Sequence, residues 1–448
     1  MSLDRAMTTP IWDFVQRYRQ SDPLRLHMPG HKGSPFLGCE PLDITEIQGA
    51  DSLYEARGII AESEQNAAAL FGTRRTFYST EGSSLCIRAM LFAALLHAGA
   101  QRPVILAARN AHRAFLYAAA VLNIDVCWIH GESAASVCSC TVTPDDLNRA
   151  LDGLPEPPIA VYITSPDYLG ALCDVAGLAA VAHRRHIPLL VDNAHGAYLK
   201  FLSPSLHPMD LGADMCCDSA HKTLPVLTGG AYLHVSKNAP EAFSALGKEA
   251  LAAFGSTSPS YLILQSLDLC NRHLSQGYPD RLSQCTARLA ALKEALSARG
   301  YTLRQSDPLK LTLALSQRDR TALPAHLRAR GIEFEFQDLH FLVFMFTPEN
   351  TPADLDRLWE AIKSYPLADP LFQPPEWRLS PEKVLSVHDA FFAPRERLPL
   401  KQAIGRICGE PSVSCPPAVP IVVCGERISR EAAQLLSRYG VEEIAVVR

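Results

Sequence analysis

Residues 213–230 read ADMCCDSAHKTLPVLTGG. A short apolar run at 215–217 ends in Asp218 and Ser219, and one lysine, Lys222, follows directly behind Ser219 and His221. A buried strand that ends in small polar residues and a lysine presents hydroxyls, backbone N–H groups and an amine at one edge of a sheet. That combination suits a phosphate cradle and a covalent handle for a carbonyl cofactor.

The surrounding pattern says what kind of sheet this is. From about residue 60 to residue 235, helical stretches alternate with short apolar segments, and strands are predicted at 104–107, 126–129, 159–164, 188–192, 215–218 and 231–235. Helices are predicted between them, including 83–98 stopped by Gly99 and 175–185 with basic residues in its last turn. Alternation of this kind predicts an α/β fold with a mostly parallel sheet covered by helices on both faces. Ligands in such sheets gather at the carboxyl ends of the strands, where Lys222 falls.

Further along, residues 274–301 read as one long helix stopped at Gly300. Strands are expected at 310–315, 341–346, 421–423 and 443–447 and a helix at 352–362, which together make a smaller α+β domain. Pro366, Pro370, Pro374, Pro375 and Pro381 predict an irregular surface run between its parts. The expected division is an N-terminal arm (1–58), a large α/β domain (59–270), a linker helix with a small α+β domain (271–365), and the C-terminal part of that small domain (366–448).

Bulk properties narrow the function classes. A chain of 448 residues, 48% hydrophobic and 20% charged, fits a globular enzyme of two or three domains at roughly 100 to 200 residues each. A net charge of −5 argues against nucleic acid as the main partner, because phosphate backbones demand a basic face. No stretch approaches the roughly 18 apolar residues of a membrane span. The start, MSLDRAMTTP, has no signal-peptide core, so a cytoplasmic location is expected. Thirteen cysteines are scattered through apolar segments, which favours reduced, buried thiols. The close pairs Cys138/Cys140 and Cys216/Cys217 have no second Cys or His pair at metal-site spacing, so no metal is expected.

Asp192 ends the apolar strand PLLVDNA, and Lys222 lies behind the strand that follows. In a pyridoxal-phosphate enzyme a lysine holds the aldehyde while a carboxylate beside the ring nitrogen keeps that nitrogen protonated and the ring an electron sink. An Asp at a strand end also serves as a cap or turn residue, and its pairing with Lys222 raises the catalytic reading. Thr80-Glu81-Gly82-Ser83-Ser84 precedes the helix over 83–98. Gly82 would let the backbone approach an anion, Ser83 and Ser84 would offer hydroxyl and N–H donors, and the helix dipole adds roughly 0.3 to 1 kcal/mol. A plain serine N-cap explains the same residues, and Glu81 must point away from a phosphate. His112 follows the strand VILAA and could stack on a pyridine face or act as an ordinary hydrogen-bonding loop residue. His195 could orient Asp192 or touch the cofactor.

These residues fall in a set of motifs. HMPGHKG (27–33), EGSS (81–84), RNAHR (109–113), TSPDYLG (164–170), VDNAHGAY (191–198) and DSAHKTLPVLTGGAYLHV (218–235) resemble, in order and spacing, the bacterial ornithine/lysine/arginine decarboxylases. STSPSYLILQSLD (256–268) and GRICGEPSVSCPPAVPIVVCGE (405–426) extend the resemblance over nearly the whole chain. It implies a fold-type I, aminotransferase-like enzyme that binds pyridoxal 5'-phosphate and works as a homodimer or a multiple of one, with shared active sites. On the matched positions Lys222 is similar to the Schiff-base lysine, Asp192 to the partner of the pyridine nitrogen, and His112 to the stacking residue. By the same resemblance Ser83, Ser84, Ser219 and His221 become phosphate or cofactor contacts, joining Gly82 and His195 as cofactor-binding candidates, and Ser258 is expected to reach the site from the neighbouring subunit. The chain resembles the shorter branch, without an N-terminal wing domain.

The resemblance implies decarboxylation of arginine, lysine or ornithine, with His221 as a candidate proton donor and arginine ahead because short members serve polyamine synthesis. Aminotransfer or aldol cleavage on the same cofactor, and a cofactor-binding protein with a regulatory role, are the alternatives. The chain departs from the family pattern at Glu81, Cys415, Ala418 and Cys424, and the last three lie in the segment expected near the active-site entrance.

Overall fold

The structure, a computed structural model, describes residues 7–129, 139–374, 381–411 and 419–448. Its main sheet has seven strands: β1 (Arg75–Ser79), β2 (Val104–Ala108), β3 (Asp125–Ile129), β4 (Ala160–Thr164), β5 (Leu189–Asp192), β6 (Met215–Asp218) and β7 (Ala231–Val235). Their order is β1-β7-β6-β5-β4-β2-β3. The pairs β2–β3, β2–β4 and β5–β6 are parallel, and β7 runs antiparallel to both β1 and β6. The mostly parallel α/β sheet expected from the sequence is therefore present. Sequence reasoning missed only β1 among these strands, because RTFYS carries Arg75 and Ser79 at its ends and leaves too short an apolar run to stand out.

The chain divides into two compact units, Met1–Gly99 with Pro188–Asp280, and Ala100–Ile187 with Arg281–Arg448. In the first unit β5, β6 and β7 are buried along their whole length, which is why they read as continuous apolar runs rather than alternating ones. Helices α1 (Pro10–Gln20), α2 (Ile59–Phe71) and α3 (Gly82–Ala98) belong to this unit. α3 buries Leu85, Cys86, Ile87, Ala89, Met90 and Leu91, and Gly99 ends it at φ +58° as expected.

The helix expected over 274–301 is present as Tyr278–Ala298, starting four residues late because residues 274 and 275 end the preceding helix, Tyr261–Ser275. Gly277 between them sits at φ +68°, a left-handed conformation that breaks the helix despite continuous helical periodicity on either side. The expected stop at Gly300 is real, at φ +92°.

In the second unit, β8 (Thr302–Leu303), β9 (Lys310–Ala314), β10 (Phe336–Gln337) and β11 (Phe341–Met345) form an antiparallel sheet in the order β10-β11-β9-β8. Alternate residues of β11 face opposite ways: Phe341 and Val343 join one apolar cluster, and Leu342 and Phe344 the other. β12 (Arg395–Pro399) pairs antiparallel with β13 (Glu443–Val447). Residues 421–423 are buried but form no strand. The Val423 N–H donates to Glu426 Oε2 at 2.8 Å, so the chain turns there instead of pairing.

That turn is anchored by charge. Glu426, 2% exposed, receives both terminal guanidinium nitrogens of Arg109, with Nη2 at 2.7 Å from Oε2 and Nη1 on Oε1. Arg109 Nε donates to Pro420 O at 3.2 Å, and the Trp128 ring centroid lies 4.8 Å from the guanidinium carbon. Among the described residues no helix is long and apolar enough to cross a membrane. The cysteines there are free thiols, and burial pushes Cys86, Cys216 and Cys217 well up from their ordinary range. Cys138 lies outside the described residues.

Removing one partner of a buried, bidentate ion pair leaves the other charge without compensation. Glu426→Ala is expected to lower unfolding free energy in urea by about 3 to 5 kcal/mol. A loss below about 1 kcal/mol, the scale of an exposed pair, would show that Glu426 does not anchor this turn.

Candidate active site

Strand direction brings the candidate residues of the first unit to one edge. β5 and β6 are parallel neighbours, with Asp192 opposite Cys217, so Asp192 and Asp218 both end their strands on the same side. β7 is antiparallel, and its first residue, Ala231, faces the last residue of β1, Ser79. The start of α3, the turn after β5, the turn after β6 and the Gly229-Gly230 approach to β7 therefore share one edge.

The first feature of this edge is a cradle of small donors. Gly82 has φ +70°, and a Cβ placed on it would meet nothing nearer than His221 Cε1 at 4.0 Å, so its backbone is open to approach by a ligand. Its N–H donates to Gly229 O at 2.7 Å, and Gly229, at φ +101°, has room for no Cβ because Thr80 O would lie 2.8 Å away. Ser219 Oγ donates to Ser83 Oγ at 2.8 Å, and both serines are buried. Two adjacent hydroxyls at the N-terminus of a 17-residue helix form a donor set for a dianion. Ser84 lies in the same first turn, partly exposed. Glu81 does point away: its Oε1 accepts from Ser256 N at 2.7 Å.

The second feature is the amine. Lys222 Nζ lies 3.0 Å from His195 Nε2, so His195 touches the lysine. Asp192, 2% exposed, accepts from Ala194 N at 3.1 Å through Oδ1, with Cys217 Sγ at 3.6 Å from the same atom. His221 is half-buried and gives its Nδ1–H to Gly230 O at 2.9 Å, which leaves Nε2 as the acceptor nitrogen. Burial, and then the neighbouring Lys222 charge, push the His221 imidazole below its ordinary range, so it is neutral at pH 7. The donor set fits pyridoxal phosphate: paired hydroxyls and a helix start for phosphate, an amine for the aldehyde, and a buried carboxylate for a ring nitrogen.

Two further candidates remain, His112 in the second unit and Ser258 in the first. His112 belongs to the second unit, follows β2 at its carboxyl end, and caps α4 (Arg113–Val121), where its Nδ1 accepts from Ala114 N at 3.2 Å. Ser258 is exposed, with its N–H on Ser256 Oγ at 3.1 Å, and makes no hydrogen bond to Gly82, Ser83, Ser219 or Lys222 among the described residues. Its loop is tethered to the start of α3 through the Ser256–Glu81 bond. At the C-terminal segment, Cys424 is 1% exposed, and Cys415 and Ala418 lie outside the described residues. Glu426 is committed to Arg109, so its carboxylate is not available to a substrate cation.

Sequence reasoning missed a second layer behind the edge. Asp218 accepts from Asn193 Nδ2 at 2.6 Å and meets His207 Nε2 at 3.0 Å and His234 Nε2 at 3.1 Å. An acid closing an apolar strand was the available signal in Asp218; His207, in an irregular loop, offered none.

The family described as "Orn/Lys/Arg decarboxylase, major domain" matches residues 9–314. An arginine decarboxylase of Bacillus subtilis is 30% identical over 464 residues, covering 94% of this chain and 92% of that protein. An arginine decarboxylase of Halalkalibacterium halodurans is 29% identical, covering 95% and 92%. Among solved structures, the lysine decarboxylase of Francisella novicida superposes with a TM-score of 0.82 at 16% identity, covering 98% of this chain and 79% of that one. With the matched model spanning well over half of it, the chain belongs to the Orn/Lys/Arg decarboxylase family.

Proposed function

We propose that this chain decarboxylates a basic amino acid, arginine foremost, with pyridoxal phosphate held at the sheet edge described above. The observation that carries the reading is the convergence of the Lys222 amine, buried Asp192 and the Ser83–Ser219 hydroxyl pair on one edge of the first unit. Bound there, the cofactor supplies an electron sink that draws in the electrons of the breaking carbon–carbon bond. Lys222 would hold the aldehyde carbon, and Gly82, Ser83, Ser84 and Ser219 the phosphate. Asp192 would keep a proton on the ring nitrogen. His195, in contact with Lys222 Nζ, would orient the amine and accept a hydrogen bond from it. His221 would receive and return a proton at Nε2, since its Nδ1–H is committed to Gly230 and its imidazole is neutral at pH 7. His112, the N-cap of α4, is our stacking residue.

Arginine stands first because arginine decarboxylases of two bacteria align over more than nine-tenths of this chain. We assign the enzyme to amine production for polyamine synthesis in the cytoplasm. We also propose a homodimer or a multiple of one. The N-terminal arm exposes Leu24, Leu26, Phe36 and Leu37 by 81% or more, a density of bare apolar side chains that a second copy would cover. Ser258, on an exposed loop beside the cradle, would serve the partner's site. The functional division we adopt is arm (1–58), large cofactor domain (59–270), linker and small domain (271–365), and C-terminal part (366–448).

Wild-type protein incubated with pyridoxal phosphate is expected to show a visible absorption band that borohydride fixes to the peptide containing Lys222. Lys222→Ala should show neither the band nor amine formation, and an unchanged band would rule out Lys222 as the attachment point. Asp192→Asn is expected to retain the cofactor, while turnover falls by about 100-fold or more because ring protonation is lost. Full turnover in that variant would remove the ring-nitrogen role from Asp192.

A further inference from the structure

We infer that Asp218, clamped between His207 and His234, is a positioning residue of this site: through Asn193 it fixes the turn that carries Asp192 and His195. The inference rests on the decarboxylase reading of that edge and adds a layer beneath it.

Asp218, Asn193, His207 and His234 are all 0% exposed. Removing a carboxylate from water costs several kcal/mol, so its partners decide whether it is tolerated. Here they are three N–H donors. Asn193 Nδ2 reaches Oδ1 at 2.6 Å, while His207 and His234 reach Oδ2 at 3.0 and 3.1 Å. Met209 N donates to His207 Nδ1 at 3.3 Å, so Nε2 is the nitrogen that gives its proton to Asp218. Behind His234, Nδ1 meets Thr76 Oγ1 at 2.8 Å, and Thr76 Oγ1 meets Thr73 Oγ1 at 2.8 Å. Burial opposes ionisation of Asp218, but the two histidines overcome it and hold the carboxyl well below its ordinary range. It is a fixed anion with a fixed orientation.

Asn193 transmits that orientation. Its Oδ1 is buried and has no hydrogen-bond partner among the described residues, so the bond to Asp218 is what sets its amide. Its backbone is held at both ends, N–H on Cys217 O at 3.0 Å and C=O accepting from Gly196 N at 2.8 Å. Its Oδ1 occupies the space that a side chain on residue 196 would need, which is why Gly196 stands there. The turn locked in this way places Asp192 Oδ1 on Ala194 N and His195 Nε2 against Lys222 Nζ. Asp218 is thus the second layer for both groups, while the residue after it, Ser219, builds the cradle.

The cluster has one competing reading. Ligand atoms of His207, Cys216 and Asp218 lie within 4.8 Å of one another, close enough for a metal ion. The histidine Nε2 protons are already given to Asp218, however, and burial pushes the Cys216 thiol well up, so the sites a metal would occupy carry protons.

The test compares full-length wild type, Asp218→Asn, Asn193→Ala and the double variant in two measurements. The first is kcat and KM. Each single variant should lower kcat by up to about 100-fold with KM little changed, and the double variant should be no worse than the poorer single, because both break one connection. The second uses cofactor-free protein and follows the pH dependence of reductive methylation at Lys222 by peptide mass. Both single variants should shift that titration in the same direction and by the same amount. Additive losses in kcat, an unmoved Lys222 titration, or stoichiometric zinc in the purified wild type would each overturn the assignment. Should Asp218→Asn not fold, Asn193→Ala alone decides, and wild-type kcat and Lys222 titration in it would overturn the inference. If the wild type made no amine at all, the decarboxylase reading would fail while the methylation measurement still tested the positioning role.

Discussion

The site depends on the parallel register of β5 and β6, which sets Asp192 against Cys217 and ends both strands in an aspartate. Side chains alternate along a strand, so a slip of one residue would turn Asp192 to the opposite face and carry Asn193 away from Asp218. Burial on both faces makes that register expensive to change. The antiparallel β7 then starts from the same edge, and its Gly229-Gly230 approach locks to Gly82 at the start of α3.

The two strand-end aspartates are kept in contrasting company. Asp192 faces a backbone N–H and a thiol, with the lysine and its histidine partner on the neighbouring turn. Asp218 is saturated by protein donors and stays out of reach. Arg109 and Glu426 likewise satisfy each other and serve as an anchor in the fold.

Much of this was legible in the chain. The apolar runs of β2 to β7 are long enough to read, and the small polar residues behind them identified Gly82, Ser83, Ser219, His221 and Lys222 as one edge. Two misreadings have the same cause, a single residue overriding a good periodic pattern: Gly277 delays the start of the expected helix to Tyr278, and Glu426 bends 421–423 out of a strand. The layer beneath the site was illegible for another reason. His207, Asn193 and His234 meet Asp218 only through tertiary packing, and no spacing along the chain announces a contact between a loop and two strands. The second-unit position of His112 was likewise invisible, since a strand end predicts an edge and says nothing of the unit that owns it.

The most direct measurement is the fate of carboxyl-labelled arginine, lysine and ornithine supplied separately to the purified, cofactor-loaded protein. The account predicts labelled carbon dioxide released one-to-one with the corresponding amine, fastest with arginine. Formation of a keto acid with the label retained in solution would contradict it.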